Sequence, residues 1–232
     1  HTTAGLAALV VAVVLGKRRT FRSNTMVPPH SPVLTMVGAS MLWVGWFGFN
    51  AGSALSASKY AGMAMLVTHI SAAAATVTWM LIDWYKNGKP GLVGMITGMI
   101  AGLATVTPAS GFIGPLGGLI LGISSAFVCY WFVGFIKNVL KIDDSLDVFA
   151  VHGVGGILGT ILCGILATSA FGGLGLENNV WDQTKVQLIG VLSISLYTLI
   201  ATSVIVFFVN NFVGLRVSEQ EENTDGCDFG TH

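Results

Sequence analysis

The chain has 232 residues, of which 53% are hydrophobic and 9% are charged, and its formal net charge is zero. A soluble domain carries about 25% charged residues, so most of this protein's surface cannot face water. The composition excludes a disordered chain, an ordinary soluble enzyme, and a nucleic-acid-binding protein that depends on excess positive charge. An integral membrane protein remains.

Long gaps between charged residues predict membrane-spanning helices in chain order. An apolar helix over residues 1–16 comes first, and spans follow near 33–57, 60–83, 90–107, 113–137, 146–172 and 185–213. Each of those gaps holds the roughly 20 apolar residues that a spanning helix needs. Pro108 and Gly111 favour a turn between the 90–107 and 113–137 spans. The first helix rises only about 24 Å, which is less than the bilayer core, so we expect further residues to precede His1.

The basic residues fall mainly on one side of the predicted membrane. If successive loops alternate sides, Lys59 and Lys185 lie on one side. The other side receives Lys17, Arg18, Arg19, Arg22, Lys86, Lys89, Lys137, Lys141 and Arg216. The positive-inside rule predicts that this more basic side is cytoplasmic. It also places the polar, acidic tail, residues 214–232, in the cytoplasm.

Glycines at four-residue spacing predict close packing between the helices. The runs are Gly94-Gly98-Gly102, Gly114-Gly118-Gly122, Gly48-Gly52 and Gly155-Gly159. Small residues at this spacing let helix backbones approach one another in a membrane. A compact bundle of this kind can enclose a narrow path.

Two short histidine motifs suggest a repeat. The segments HTTAG from His1 and HGVGG from His152 both read His-x-x-small-Gly and both run into an apolar helix, in opposite directions across the membrane. Such a pair is typical of inverted-topology repeats, which place the substrate path at the repeat interface. His152 lies at membrane depth, where ionisable side chains usually face a cavity, although a satisfied core histidine is the alternative. His69 has no matching motif, which favours a structural role for this residue.

The cysteines and the remaining polar residues indicate no cofactor. Cys129, Cys163 and Cys227 show neither a disulfide framework nor metal-ligand spacing. No nucleophile elbow accompanies the histidines, so an intramembrane enzyme is disfavoured. We therefore expect no cofactor, no metal and no catalytic residue.

Several longer motifs carry a family resemblance. They are the run GWFGFNAGSA over 45–54, the segments over 101–112 and 142–156, and VGLRV over 213–217. In this order they resemble the Amt branch of the ammonium transporter family, from its fifth helix to its C-terminus. The resemblance implies an all-α integral membrane protein, a bundle of about seven helices that forms part of an eleven-helix inverted-repeat fold. Residues 1–213 would be the transmembrane domain, with the N-terminal repeat largely missing, and 214–232 the cytoplasmic tail.

The same resemblance implies roles for individual residues. His1 and His152 resemble the family's twin histidines, which line the pore and relay protons. Phe49, Ser53 and Trp46 resemble its outer gate and ammonium-binding site, and Leu42 and Asp147 resemble pore-lining positions. The implied function is passage of ammonium or ammonia, with methylammonium as a further candidate substrate, through a homotrimer in the plasma (cell inner) membrane. Contacts with membrane lipids and a cytoplasmic regulator at the tail are implied as well.

One alternative function and one geometric inconsistency stay open at this point. A transporter-like domain that binds ammonium without conducting it would be a sensor. Helical rise also disagrees with the histidine contact: His1 lies about 24 Å of helix from Lys17, whereas His152 lies only about 8 Å beyond Asp147.

Overall fold

The computed structural model describes residues 1–18, 21, 29–177 and 179–217, and within these ranges the chain is helical without β-strands. The predicted tail beyond Val217, with Cys227, lies outside the described residues, as do Arg19 and Arg22. The described chain forms seven α-helices. They are α1 (Thr2–Leu15), α2 (Pro32–Ala51), α3 (Lys59–Asn87), α4 (Leu92–Val106), α5 (Pro115–Gly134), α6 (Gly155–Leu166) and α7 (Val180–Phe212).

Five helical stretches are long and apolar enough to cross a membrane. They contain α2, α3, α5, α6 and α7; α5 is extended by a π-helical turn over Phe135–Val139, and α6 is preceded by another over Phe149–Val154. Helices α1 and α4 are apolar but shorter. The predicted break is confirmed, because α4 ends at Val106 and α5 begins at Pro115. The amide of Ala109 donates to the Val106 carbonyl in the turn between them.

Side chains at the helix ends explain where several helices start and stop. Ser31, Ser58 and Asn179 precede α2, α3 and α7, and each accepts a hydrogen bond from a backbone amide of the first helical turn. These contacts satisfy amides that have no partner inside the helix. Gly88 ends α3 at φ 74°, a left-handed conformation that favours glycine.

Helices α3, α4 and α5 pack most closely, and glycines make that possible. A Cβ on Gly102 of α4 would lie 2.6 Å from the Ser71 carbonyl of α3, and one on Gly122 of α5 would also crowd that carbonyl. The Ser71 hydroxyl donates to the Gly102 carbonyl at 2.9 Å across the α3–α4 contact. The predicted close packing therefore holds here. Among the described residues, a Cβ on Gly48 or Gly52 would meet nothing within 4 Å, so the prediction of close packing stays a prediction for this pair.

One end of the bundle, which we call the basic end, is tied together by arginines. Arg18 follows α1 and makes a bidentate pair with Asp143, at 2.9 Å from Nε and 2.8 Å from Nη2, and its backbone amide donates to the same carboxylate. Arg216 follows α7 and donates to the carbonyls of Leu15 and Lys17. Contacts across more than 120 residues of sequence thus fix the end of α1.

The Arg18–Asp143 pair makes the stability of the fold depend on pH. The Asp143 side chain is 1% exposed and that of Arg18 is 54% exposed. Burial alone would raise the pKa of Asp143, but the hydrogen bonds and charge of Arg18 outweigh it and hold the pKa below the usual 3.8. The pair therefore stabilises the fold above pH 3.8, and its contribution is lost as pH falls through the lower pKa of the folded state.

We expect Arg18→Gln to lower the free energy of unfolding by about 1 kcal/mol, the low end for a buried acceptor that loses its partner, because solvent screens the exposed arginine. Thermal unfolding in detergent measures this. The deficit should be constant from about pH 8 to pH 5 and shrink below about pH 4. Lys185→Gln, which breaks the exposed pair with Asp182, is the matched control and should change little. A deficit that grows on acidification would contradict this assignment.

Candidate functional site

The two motif histidines meet inside the bundle. His1 immediately precedes α1, and His152 lies in the π-helical turn before α6. Their Nδ1 atoms are 3.4 Å apart, and their ring centroids are separated by 5.2 Å. Both side chains are partly buried. At this distance one imidazole can donate a hydrogen bond to the other, with the direction set by the tautomers.

Glycines bring the two histidine segments into contact. A Cβ on Gly5 of α1 would overlap the backbone of Gly153, and one on Gly156 would lie 2.8 Å from the Thr2 amide nitrogen. Both motifs therefore supply a glycine where the opposing backbone leaves no room for a side chain. Close backbone packing therefore explains the glycine at the last position of the His-x-x-small-Gly pattern.

Acidic residues fix the start of the His152 segment. The Asp144 carboxylate accepts hydrogen bonds from the amides of Val148 and Phe149 at 3.0 and 2.7 Å, so it caps the π-helical turn. Asp147 has φ 57° and pairs with Lys137 of the turn after α5 at 2.7 Å. Burial raises the pKa of Asp147, and the charge of Lys137 opposes that shift without cancelling it. Through this pair, Asp147 ties the start of the His152 segment to the turn after α5.

These contacts resolve the conflict in helical rise. The comparison of helical rise assumed that Asp147 lies at the same depth in the membrane as the end of α1. The carboxylate that pairs with Arg18, three residues beyond α1, is that of Asp143. The chain between Asp143 and the π-helical turn is not helical, so it covers more distance per residue than a helix. His152 therefore lies deep enough to reach His1.

Two aromatic residues of α2 adjoin the histidine pair. The rings of Trp46 and Phe49 have centroids 5.2 and 5.9 Å from that of His1. Trp46 is buried, whereas Phe49 is 58% exposed. The Nε2 atom of His1 is buried and finds no hydrogen-bond partner among the described residues. A buried ring nitrogen in an aromatic setting can accept a hydrogen bond from a small polar ligand or donate one to it.

The remaining predicted site residues are Leu42 in α2, Ser53 in the short 3-10 turn that follows α2, and Asp147 before the π-helical turn. The Ser53 hydroxyl donates to the Phe49 carbonyl at 2.6 Å, one turn away, and keeps lone pairs to accept a hydrogen bond. Leu42 is exposed and lies four residues before Trp46, on the same side of α2. The structure thus gathers His1, His152, Trp46 and Phe49, sets Ser53 beside Phe49, and leaves Leu42 and Asp147 on the flanks.

Sequence reasoning missed the residues that hold α2 in place. The Trp46 indole N–H donates to the Thr107 hydroxyl at 2.9 Å, and the buried Asn50 amide donates to the Thr68 hydroxyl at 2.9 Å. Thr107 lies in the turn after α4, so a residue read only as part of a helix break also positions Trp46. Its place within a quoted family motif was the available signal. Among the described residues, no group of three or more His, Cys, Asp or Glu side chains could hold a metal ion.

Comparison with known proteins decides the family. The model of the Ammonium Transporter Family matches residues 1–232. The chain belongs to the ammonium transporter family. It is 46% identical over its whole length to ammonium transporter Amt1 of Archaeoglobus fulgidus. As a member of this family with several spanning-length apolar helices, it is an integral membrane protein, and the predicted fold class is confirmed.

Solved structures of the family share the fold. The chain matches Saccharomyces cerevisiae Mep2 with a TM-score of 0.81 and 34% identity, over 93% of this chain and 52% of that one. It also matches a Sensor Amt Protein with a TM-score of 0.85 and 29% identity, over 96% of this chain and 56% of that one. The chain covers 59% of Archaeoglobus Amt1. It therefore spans little more than half the length of the relatives it matches.

Proposed function

We propose that this chain is part of an ammonium-transporting subunit and that the His1–His152 pair lies on the path. The Nδ1–Nδ1 distance of 3.4 Å between two histidines from different helices is the observation that carries the proposal. Names of relatives that describe ammonium transport support the substrate class. Helix packing alone would favour apolar side chains here, since ionisable groups at membrane depth are costly.

Selection would begin at Phe49, Trp46 and Ser53. Aromatic faces attract a cation by roughly 2 kcal/mol when water is excluded, and an ammonium ion presents N–H groups to the Ser53 oxygen. Potassium has similar charge and size but cannot donate a hydrogen bond. The hydroxyl therefore adds a preference that an aromatic surface alone does not supply.

Deprotonation would complete the selection. An apolar path disfavours an unpaired ion strongly, whereas ammonium can release a proton and continue as neutral ammonia. Potassium has no neutral form to adopt. The unpartnered Nε2 of His1 can bind ammonia or accept the proton. The Nδ1–Nδ1 contact offers the next step, from one imidazole to the other, and each ring returns to neutrality when the proton leaves.

The proposal also includes an assembly and an orientation for the protein. We place the basic end in the cytoplasm of a plasma-membrane homotrimer, with one path through each subunit. The charge asymmetry of the loops supports this orientation. The tail, residues 214–232, would then face cytoplasmic regulators, and methylammonium would be a second substrate because it too can lose a proton.

An ammonium sensor is the second candidate function. The structural similarity to a Sensor Amt Protein supports it. Both functions require ammonium binding, but only transport moves substrate across the bilayer. The test uses the full-length protein in liposomes, with ammonium binding and ammonium uptake measured on one preparation. Saturable uptake supports transport. Saturable binding without uptake or current would overturn it in favour of the sensor.

Phe49→Ala should raise the ammonium concentration for half-maximal uptake about tenfold, because the variant loses a cation–π surface while the histidine pair stays intact. Uptake at saturating ammonium should fall far less. Phe207→Ala, which truncates an exposed aromatic of α7, is the matched control. An unchanged half-maximal concentration in Phe49→Ala would contradict a binding role for this ring.

A further inference from the structure

A buried carboxylate outside the histidine site lies where α3, α4 and α5 meet. Asp83 is near the end of α3 and is 8% exposed. A carboxylate held away from water in a spanning helix is costly, and apolar side chains would pack the three helices without that cost. From its contacts we infer that Asp83 is a positioning residue for His152. This inference rests on the proposed transport function.

The Asp83 carboxylate faces the first turn of α4. A Cβ on Gly94 would overlap Asp83 Oδ2, and one on Gly91 would lie 3.6 Å from the same oxygen. Gly91 precedes α4 and has no side chain that could cap the helix. The amides of a first helical turn have no partner inside the helix, and the partial positive charge there attracts an anion. Asp83 therefore supplies from α3 the negative charge that α4 lacks at its own start.

The same carboxylate reaches α5 through Tyr130. The Tyr130 hydroxyl donates a hydrogen bond to Asp83. Asn87 Nδ2 lies 3.5 Å from Asp83 Oδ1. The Tyr130 ring meets the Trp79 ring edge-on, with the two centroids 5.2 Å apart, and Lys86 Nζ lies 4.4 Å from the centroid of the Tyr130 ring. One acidic side chain thus joins α3 to both α4 and α5.

The aromatic pair that Asp83 holds contributes to the packing behind His152. Trp79 and Val151 belong to one buried cluster, and Tyr130 packs against that cluster. Val151 directly precedes His152 in the π-helical turn, and this turn packs on α4 and α5. Because a close-packed interior transmits displacements, a shift of α4 and Tyr130 moves Val151 and the imidazole that follows it. Asp83 therefore acts on transport only through the spacing of the two histidines.

Asp83→Asn in the full-length protein tests this inference, because it removes the charge and keeps the shape. Ammonium uptake by liposomes at saturating ammonium should fall about tenfold, since a displacement of about 1 Å can cost up to about 100-fold in rate. The half-maximal concentration should stay within about twofold of wild type, because Phe49 and Ser53 are unchanged. Asp182→Asn, which neutralises an exposed carboxylate of α7, is the matched control and should leave both values within about twofold.

High-resolution structures of the wild type and Asp83→Asn separate this inference from the proposed function, because they do not depend on transport. The Nδ1–Nδ1 separation of His1 and His152 should increase from 3.4 Å by about 1 Å in the variant. If the wild type takes up no ammonium, the proposed function fails, and the separation still decides whether Asp83 positions His152. An unchanged separation overturns the inference. So does unchanged maximal uptake in a variant whose wild type transports.

Two further variants decide the matter if Asp83→Asn does not fold. Gly94→Ala keeps the carboxylate but displaces it from α4, so the folded variant should show the same loss of maximal uptake. Gly91→Asp returns a negative charge to the start of α4. Added to Asp83→Asn, it should restore folding and bring uptake to within about threefold of wild type. Wild-type uptake in Gly94→Ala, or no recovery in the double variant, would overturn the inference.

Discussion

His152→Ala is expected to lower ammonium-driven current in liposomes at least about 100-fold, which is the scale of a lost general acid–base group. The variant removes the imidazole whose Nδ1 lies 3.4 Å from that of His1. Without it, a proton released from ammonium has no second nitrogen to enter, and the apolar surroundings disfavour the intact ion. Current after ammonium concentration jumps, measured on full-length protein, checks this.

His69→Ala is the matched control for that variant. His69 lies in α3, and its ring packs against those of Trp43 and Phe47 rather than in the pair formed by His1 and His152. Its removal should leave the current within about twofold of wild type. His1→Ala should resemble His152→Ala, and the double variant should be little worse than either, because residues that act as a unit are not additive. Current that survives in both single variants would contradict the relay.

Gly5→Ala should also abolish most transport, although it changes no functional side chain. A Cβ at Gly5 would overlap the Gly153 backbone, so α1 and the π-helical turn must separate to admit it. A displacement of about 1 Å breaks the 3.4 Å contact and can cost about 100-fold in rate. The free energy of unfolding should fall by about 1–3 kcal/mol, as for other overpacked sites.

The control for Gly5→Ala is Gly38→Ala in α2, where a Cβ meets nothing within 4 Å. It should preserve both current and thermal stability. Folding of Gly5→Ala is checked by its elution as an intact oligomer in detergent. A folded Gly5→Ala protein with wild-type current would show that histidine spacing does not govern transport.

The helices could be predicted from the sequence because charge is expensive inside a bilayer. The interval between Lys59 and Asp83 marks most of α3, and Pro108 with Gly111 marks the turn after α4. Helix ends were less predictable. Ser58 starts α3 with a side-chain cap and Gly88 ends it in a left-handed conformation, and gaps between charges register neither.

The π-helical turns could not be predicted from the sequence, because gaps between charged residues mark spanning segments but not the type of helix. Asp144 caps the turn that carries His152, and Lys137 holds Asp147 beside it. Neither pairing follows from spacing along the chain. The same contacts explain why helical rise misplaced His152 relative to His1. A motif could match the two histidines, but only the fold shows that their Nδ1 atoms approach to 3.4 Å.

The most direct test of deprotonation compares ammonium and potassium currents through the wild-type full-length protein in liposomes, at equal concentration and driving force. The two cations are alike in charge and size, but only ammonium can shed a proton and cross as a neutral molecule. If ammonium is deprotonated on the way to the His1–His152 pair, ammonium gives saturable transport and potassium gives no current above protein-free liposomes. Comparable potassium current would mean that intact cations cross, and it would contradict the deprotonation mechanism.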